Sequence, residues 1–233
     1  MFPLKDNIRS ALFPWVNLAL IGVNVVFFLY ELSLGIGLEP FIVSNGFIPA
    51  RFAAEKAAAA LTVHSYATVI SSMFLHGNLL HIVSNMWMLW IFGDNVEDRM
   101  GHGRYLAFYL LCGVVSVFAQ YLSNAGSVAP MIGASGAISG VIGAYFLLYP
   151  KARILTIAPI FIFFYLVEIP AFFFIGFWFV FQFLQGAVHQ LVVGKLVEGG
   201  VAWWAHVGGF AAGVALLPFF KRGRGRKKGQ VWL

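Results

Sequence analysis

Ser135 and His206 are the residues of this chain whose types best fit a chemical role. A serine hydroxyl becomes a usable nucleophile when a base takes its proton, and histidine is the commonest such base. Ser135 stands in Gly133-Ala134-Ser135-Gly136 at the start of an apolar segment. The first turn of a helix there leaves backbone N–H groups unpaired beside the hydroxyl, where a developing oxyanion could be held. His81 and Asn85 lie four positions apart. They share one helix face and can aim two more donors at a single point. The chemistry such a set performs is acyl transfer.

Each of these residues also has a plainer reading. A serine among glycines in an apolar helix is often a packing residue, and His81 with Asn85 could be a hydrogen-bonded pair between helices. Ser139 is a rival nucleophile one turn deeper on the same face, without the helix-start donors, and ranks second. His76 reads as structural, and His64, His102 and His189 fall at connections or edges, with no role assigned. No acid completes a triad: Asp94, Glu97 and Asp98 lie on the order of 20 Å from His81 by helical rise. A dyad is therefore expected. Glu168 is expected at the cytoplasmic interface.

The elements that must position these groups are membrane-spanning. Of 233 residues, 61% are hydrophobic and 10% charged, against about 45–50% and about 25% in soluble domains. Several apolar runs reach the roughly 20 residues needed to cross a bilayer. The segments run from about Phe13 to Leu34, Leu79 to Val96, Tyr105 to Leu122, Ser135 to Tyr149, within Ile154 to Val193, and Val201 to Phe220. Around Arg51, Glu55 and Lys56 a short amphipathic interfacial helix is expected. The fourth segment, at about 1.5 Å per residue, is too short to span, so Ser135 must sit below the surface. Ile154–Val193 is broken by Pro159, Glu168 and Pro170 and reads as a hydrophobic loop followed by one span, a hairpin of two spans being the alternative.

Lys and Arg cluster before the first segment, between the second and third, between the fourth and fifth, and after the sixth. Six spans with both termini cytoplasmic satisfy all four clusters. The reading is an all-α six-helix bundle in which residues 1–220 form one transmembrane domain and residues 221–233 a basic cytoplasmic tail. It places the starts of segments two, four and six on the same, non-cytoplasmic side, so His81, Asn85, Ser135 and His206 converge there. Gly136, Gly140 and Gly143 flatten one side of segment four, and Gly209 and Gly213 form a small-xxx-small face after His206. Packing of those faces would bring serine and histidine together.

At this point the chain resembles the rhomboid family over nearly its whole length. The stretch Met73-Phe74-Leu75-His76-Gly77-Asn78 with His81 and Asn85, then Gly93-Asp94-Asn95-Val96-Glu97, is similar to that family's first loop and second helix. Gly133-Ala134-Ser135-Gly136 matches its G-x-S-G motif, and Ala205-His206-Val207-Gly208-Gly209 with Gly213 matches its A-H-x-x-G-x-x-x-G motif. The resemblance implies an intramembrane serine endopeptidase with Ser135 as nucleophile and His206 as general base. It implies an oxyanion hole from His81, Asn85 and the Ser135 backbone N–H. It further implies transmembrane protein substrates that enter sideways past a fifth helix, from Pro170 to about Leu184, gated together with an apolar cap loop. Two positions depart from the family pattern: Ala67-Thr68 stands where many members have Trp-Arg, and Ser139 where many have an aromatic.

Other function classes fit less well. The formal charge of +6 owes much to Lys221–Lys228 beside an apolar segment, which suits contact with membrane lipids better than nucleic acid. There is no H-E-x-x-H for a metal and only Asp94 resembles half of an aspartyl pair, so no metal or other cofactor is expected. The absence of a convincing inverted repeat ranks a transporter low. An inactive relative that escorts membrane proteins is disfavoured because every reacting residue is present. The sequence expectation for location is a bacterial inner (plasma) membrane.

Overall fold

The computed structural model describes residues 2–160, 162–193 and 201–222. Its helices are α1 (Trp15–Ser33), α2 (Leu38–Asn45), α3 (Pro49–Ala57), α4 (Val63–Ser71), α5 (Leu79–Met100), α6 (His102–Ser123), α7 (Ser135–Leu148), α8 (Ala171–Val188) and α9 (Trp203–Phe220). Of these, α1, α6, α8 with the turn after it, and α9 are long and apolar enough to cross a membrane. The α4 segment and α5, bent by 81° at the loop between them, raise the number to five if read as one span. The helical membrane bundle expected from the sequence is present; among the described residues, length and composition mark four or five full spans, with α7 as a shorter helix. The amphipathic helix expected near Arg51 is α3.

At about 1.5 Å per residue, the 14 residues of α7 rise about 21 Å, less than the hydrocarbon thickness. Every residue from Gly136 to Tyr145 is buried, as befits a helix apolar all round and enclosed by neighbours. It packs on α5, α6 and α9. Between helices in lipid, close packing and hydrogen bonds replace the hydrophobic drive. Glycines supply the first: a Cβ at Gly209 would collide with the Gly136 carbonyl and one at Gly213 with the Gly140 carbonyl. Cβ atoms at Gly136 and Gly140 would instead meet Ser116 and Cys112 of α6. Thus α7 is bare toward α6 at these two positions and toward α9 at Gly143, where a Cβ would meet the Phe210 carbonyl, and α9 is bare toward α7. Buried polar links supply the second, with the Tyr105 hydroxyl donating to Asn17 Oδ1 at 2.8 Å and Asn17 Nδ2 to the Leu89 carbonyl at 3.1 Å.

The hydrophobic loop expected after segment four is a β-hairpin. Strands β1 (Phe2–Asp6), β2 (Arg153–Ile160) and β3 (Phe163–Pro170) form an antiparallel sheet in the order β1-β2-β3, with Asp6 opposite Ile154 and Arg153 opposite Pro170. An apolar run of this length reads alike as loop, strand or helix, because lipid-facing residues carry no period. The N-terminal strand is tied to the bundle: Trp87 Nε1 donates to the Pro3 carbonyl at 2.7 Å, and Asn95 Nδ2 and the Tyr145 hydroxyl both donate to the Asp6 carboxylate. Glu168 is half exposed, 3.9 Å from Arg153. The basic tail expected over 221–233 lies, past residue 222, outside the described residues.

Candidate active site

The start of α7 is set by Gly133, whose φ of +120° belongs to glycine. Its N–H donates to the Ser72 carbonyl at 2.8 Å. A side chain is excluded there for a second reason. A Cβ at Gly133 would lie 2.7 Å from His81 Nε2 and 3.6 Å from Asn85 Nδ2. The turn before Ser135 therefore lies directly on the polar face of α5. No side chain caps α7, so no capping group occupies the N–H donors of its first turn. The Asn85 amide nitrogen is buried and has no hydrogen-bond partner among the described residues, a donor beside that turn.

Ser135 Oγ and His206 Nε2 are 2.8 Å apart. The α7–α9 glycine contact brings them together, since His206 precedes Gly209 by one turn and Ser135 precedes Gly136. Ser139 donates its hydroxyl to the Ser135 carbonyl at 2.7 Å and is buried. Its proton is engaged along the helix, away from His206. Two aromatic rings flank His206: that of Trp178 lies 6.3 Å from it, nearly parallel, and that of Trp203 6.2 Å away, edge-on.

His206 Nδ1 lies 2.8 Å from Gln182 Oε1. Gln182, on α8, is buried and had no place in the sequence reading. Its sequence signal is a polar residue in a lipid-compatible helix, a mark of candidate function that Gln185 of the same helix shares. Glu31 was also passed over. This buried carboxylate of α1 accepts the His76 backbone N–H at 3.1 and 3.2 Å and so anchors the loop leading into α5. His76 stands edge-on to His81 with ring centroids 5.1 Å apart, which fits a structural place for it. Asn78 accepts the His81 N–H at 2.9 Å and caps α5.

Two cavities meet at the pair. One, of about 680 Å³, is lined by polar groups including Asn78, His81, Ser84, Gln120, Ser135 and His206. His189, assigned no role from sequence, also borders it. The other, of about 270 Å³, runs between α5 and α8 past Phe2, Pro3, Trp178 and Gln182 to Ser135 and His206. The second is the more apolar of the two. Among the described residues no His, Cys, Asp or Glu cluster could hold a metal ion.

Fold and site together define a class: a helical membrane protein with a serine and a histidine paired inside the bundle. Residues 63–222 match the Rhomboid domain, and the chain belongs to the rhomboid family. Members of that family are intramembrane serine proteases. The chain is 28% identical to the presenilin-associated rhomboid-like protein, mitochondrial, of Bos taurus and 31% identical to that protein's A form in Danio rerio, each over 65% of this chain and 37% of the relative. It is 31% identical to Rhomboid protein 1, mitochondrial, of Saccharomyces cerevisiae, over 65% of this chain and 41% of the relative. Less than half of each relative is thus matched. Their mitochondrial names overturn the expectation of a bacterial plasma membrane. Charge asymmetry reports the sidedness of a bilayer, not which bilayer it is.

Proposed function

We propose that this chain is an intramembrane serine endopeptidase working through a Ser135–His206 dyad in a mitochondrial membrane. The observation that carries the reading is the 2.8 Å approach of Ser135 Oγ to His206 Nε2 beneath a polar cavity. A substrate helix of another membrane protein enters between α5 and α8 and unwinds at the dyad. Ser135 attacks the scissile carbonyl and its proton passes to His206 Nε2. The oxyanion is held by Asn85 Nδ2, His81 and the Ser135 N–H. His206 then protonates the leaving amine, and a water from the polar cavity, deprotonated by His206, hydrolyses the acyl-enzyme. Residues 1–220 act as one transmembrane domain.

The test is cleavage of a single-span substrate by protein reconstituted in liposomes. Ser135→Ala and His206→Ala should each abolish cleavage. A Ser135→Ala protein that cleaves as fast as the parent would show the nucleophile to be wrong.

A further inference from the structure

Neutral imidazole carries one proton, and which nitrogen holds it decides whether histidine can act as a base. For His206 to take the Ser135 proton on Nε2, its own N–H must be on Nδ1. Nδ1 faces the Gln182 side-chain oxygen at 2.8 Å. Amide oxygen accepts and cannot donate, so this contact selects the tautomer with Nε2 free. It also fixes the ring plane, helped by Trp178 one helical turn before Gln182 on the same face of α8. Because Gln182 is buried within an apolar helix, water does not readily replace it as acceptor.

We infer that Gln182 is the positioning residue of this dyad, taking from α8 the place that an acid holds in a triad. The inference rests on the proposed protease reading. It has a mechanical corollary. Of the α8 residues only Ala171, Ile175, Gln182 and Gly186 are buried, and Phe172, Phe173, Phe177 and Phe181 are exposed on its lipid side. The helix that borders the lateral cavity is thus also the one that orients the base, so the dyad is competent only while α8 lies against α9.

An amide differs from a carboxylate in one measurable way. It orients the imidazole but adds no charge to stabilise imidazolium. The titratable side chains that share the two cavities with His206 are His81 of α5, Ser135 of α7 and His189 after α8; among the described residues no Asp, Glu, Lys or Arg lines either cavity. A carboxylate placed at 182 would therefore be the nearest charge to the ring. It would favour the protonated histidine, so that the base form appears only at higher pH.

The experiment compares the parent, Gln182→Met and Gln182→Glu in liposomes, following cleavage kinetics across pH, reaction with a fluorophosphonate, and thermal unfolding in detergent. Gln182→Met keeps the volume and removes the acceptor. It should unfold near the parent temperature while kcat falls at least about 10-fold and at most by the about 10⁴-fold that follows loss of the tautomer-fixing group in a triad, with KM nearly unchanged. Gln182→Glu should recover most of kcat, with the acidic limb of kcat/KM moved to higher pH. A Gln182→Met protein with the parent's kcat, or a Gln182→Glu protein with an unshifted limb, overturns the assignment. If the parent itself fails to react at Ser135, the protease reading fails. If the parent reacts and Gln182→Met reacts equally fast, only the role of Gln182 falls.

Discussion

The Asn85 amide nitrogen, without a hydrogen-bond partner among the described residues, lies against the turn that Gly133 opens toward it, where the proposed reaction calls for an oxyanion donor. A donor held there stabilises charge that exists only in the transition state, so its loss should appear in kcat and hardly in KM. Asn85→Leu, of similar size, is expected to lower kcat by about 10²- to 10³-fold, measured as steady-state cleavage in liposomes. A rise in KM with kcat intact would instead make Asn85 a ground-state contact. At this scale the sequence was informative where polar residues interrupt apolar helices: Ser135, His206, His81 and Asn85 each stand out against their surroundings. Gln182 stands out equally. Its meaning depends on how α8 meets α9, which no spacing within α8 encodes, so only the observed contact gave it a partner.

Helix α9 reaches α7 because two glycines leave their carbonyl neighbours room. Gly209→Val should force the helices apart at the Gly136 carbonyl, destabilising the bundle by about 1–3 kcal/mol and slowing fluorophosphonate reaction as Ser135 and His206 separate. Gly22→Ala is the matched control, since nothing lies within 4 Å of a Cβ there, and it should unfold and react like the parent. Equal behaviour of the two variants would remove the packing argument. The shortness of α7 and the bare face of α9 were legible, because helical rise and spacing are local rules; that Gly136 and Gly140 turn to Ser116 and Cys112 of α6, leaving Gly143 to face α9, was not. The hairpin of β2 and β3 was not. Its strands are apolar on both faces, and its first partner, β1, is distant in sequence. Such pairings are settled by tertiary contacts such as the Tyr145 and Asn95 bonds to Asp6.

On the scale of the whole molecule, the starts of α5, α7 and α9 meet at one point, as the alternation of basic connections implied. Two cavities reach that point, one the more polar and the other, more apolar, between α5 and α8; the proposed hydrolysis would draw water through the first and substrate through the second. Composition and charge pattern made the membrane legible, but not the organelle, which is a matter of addressing; the proposed mitochondrial reading rests on the names of the relatives. The central claim is that Ser135, activated by His206, is the nucleophile. It is tested most directly by treating the reconstituted protein with a fluorophosphonate and mapping the adduct by mass spectrometry. The account predicts one adduct, on Ser135, lost in His206→Ala and in Ser135→Ala. An adduct on Ser139 with none on Ser135, or undiminished labelling in His206→Ala, would contradict it.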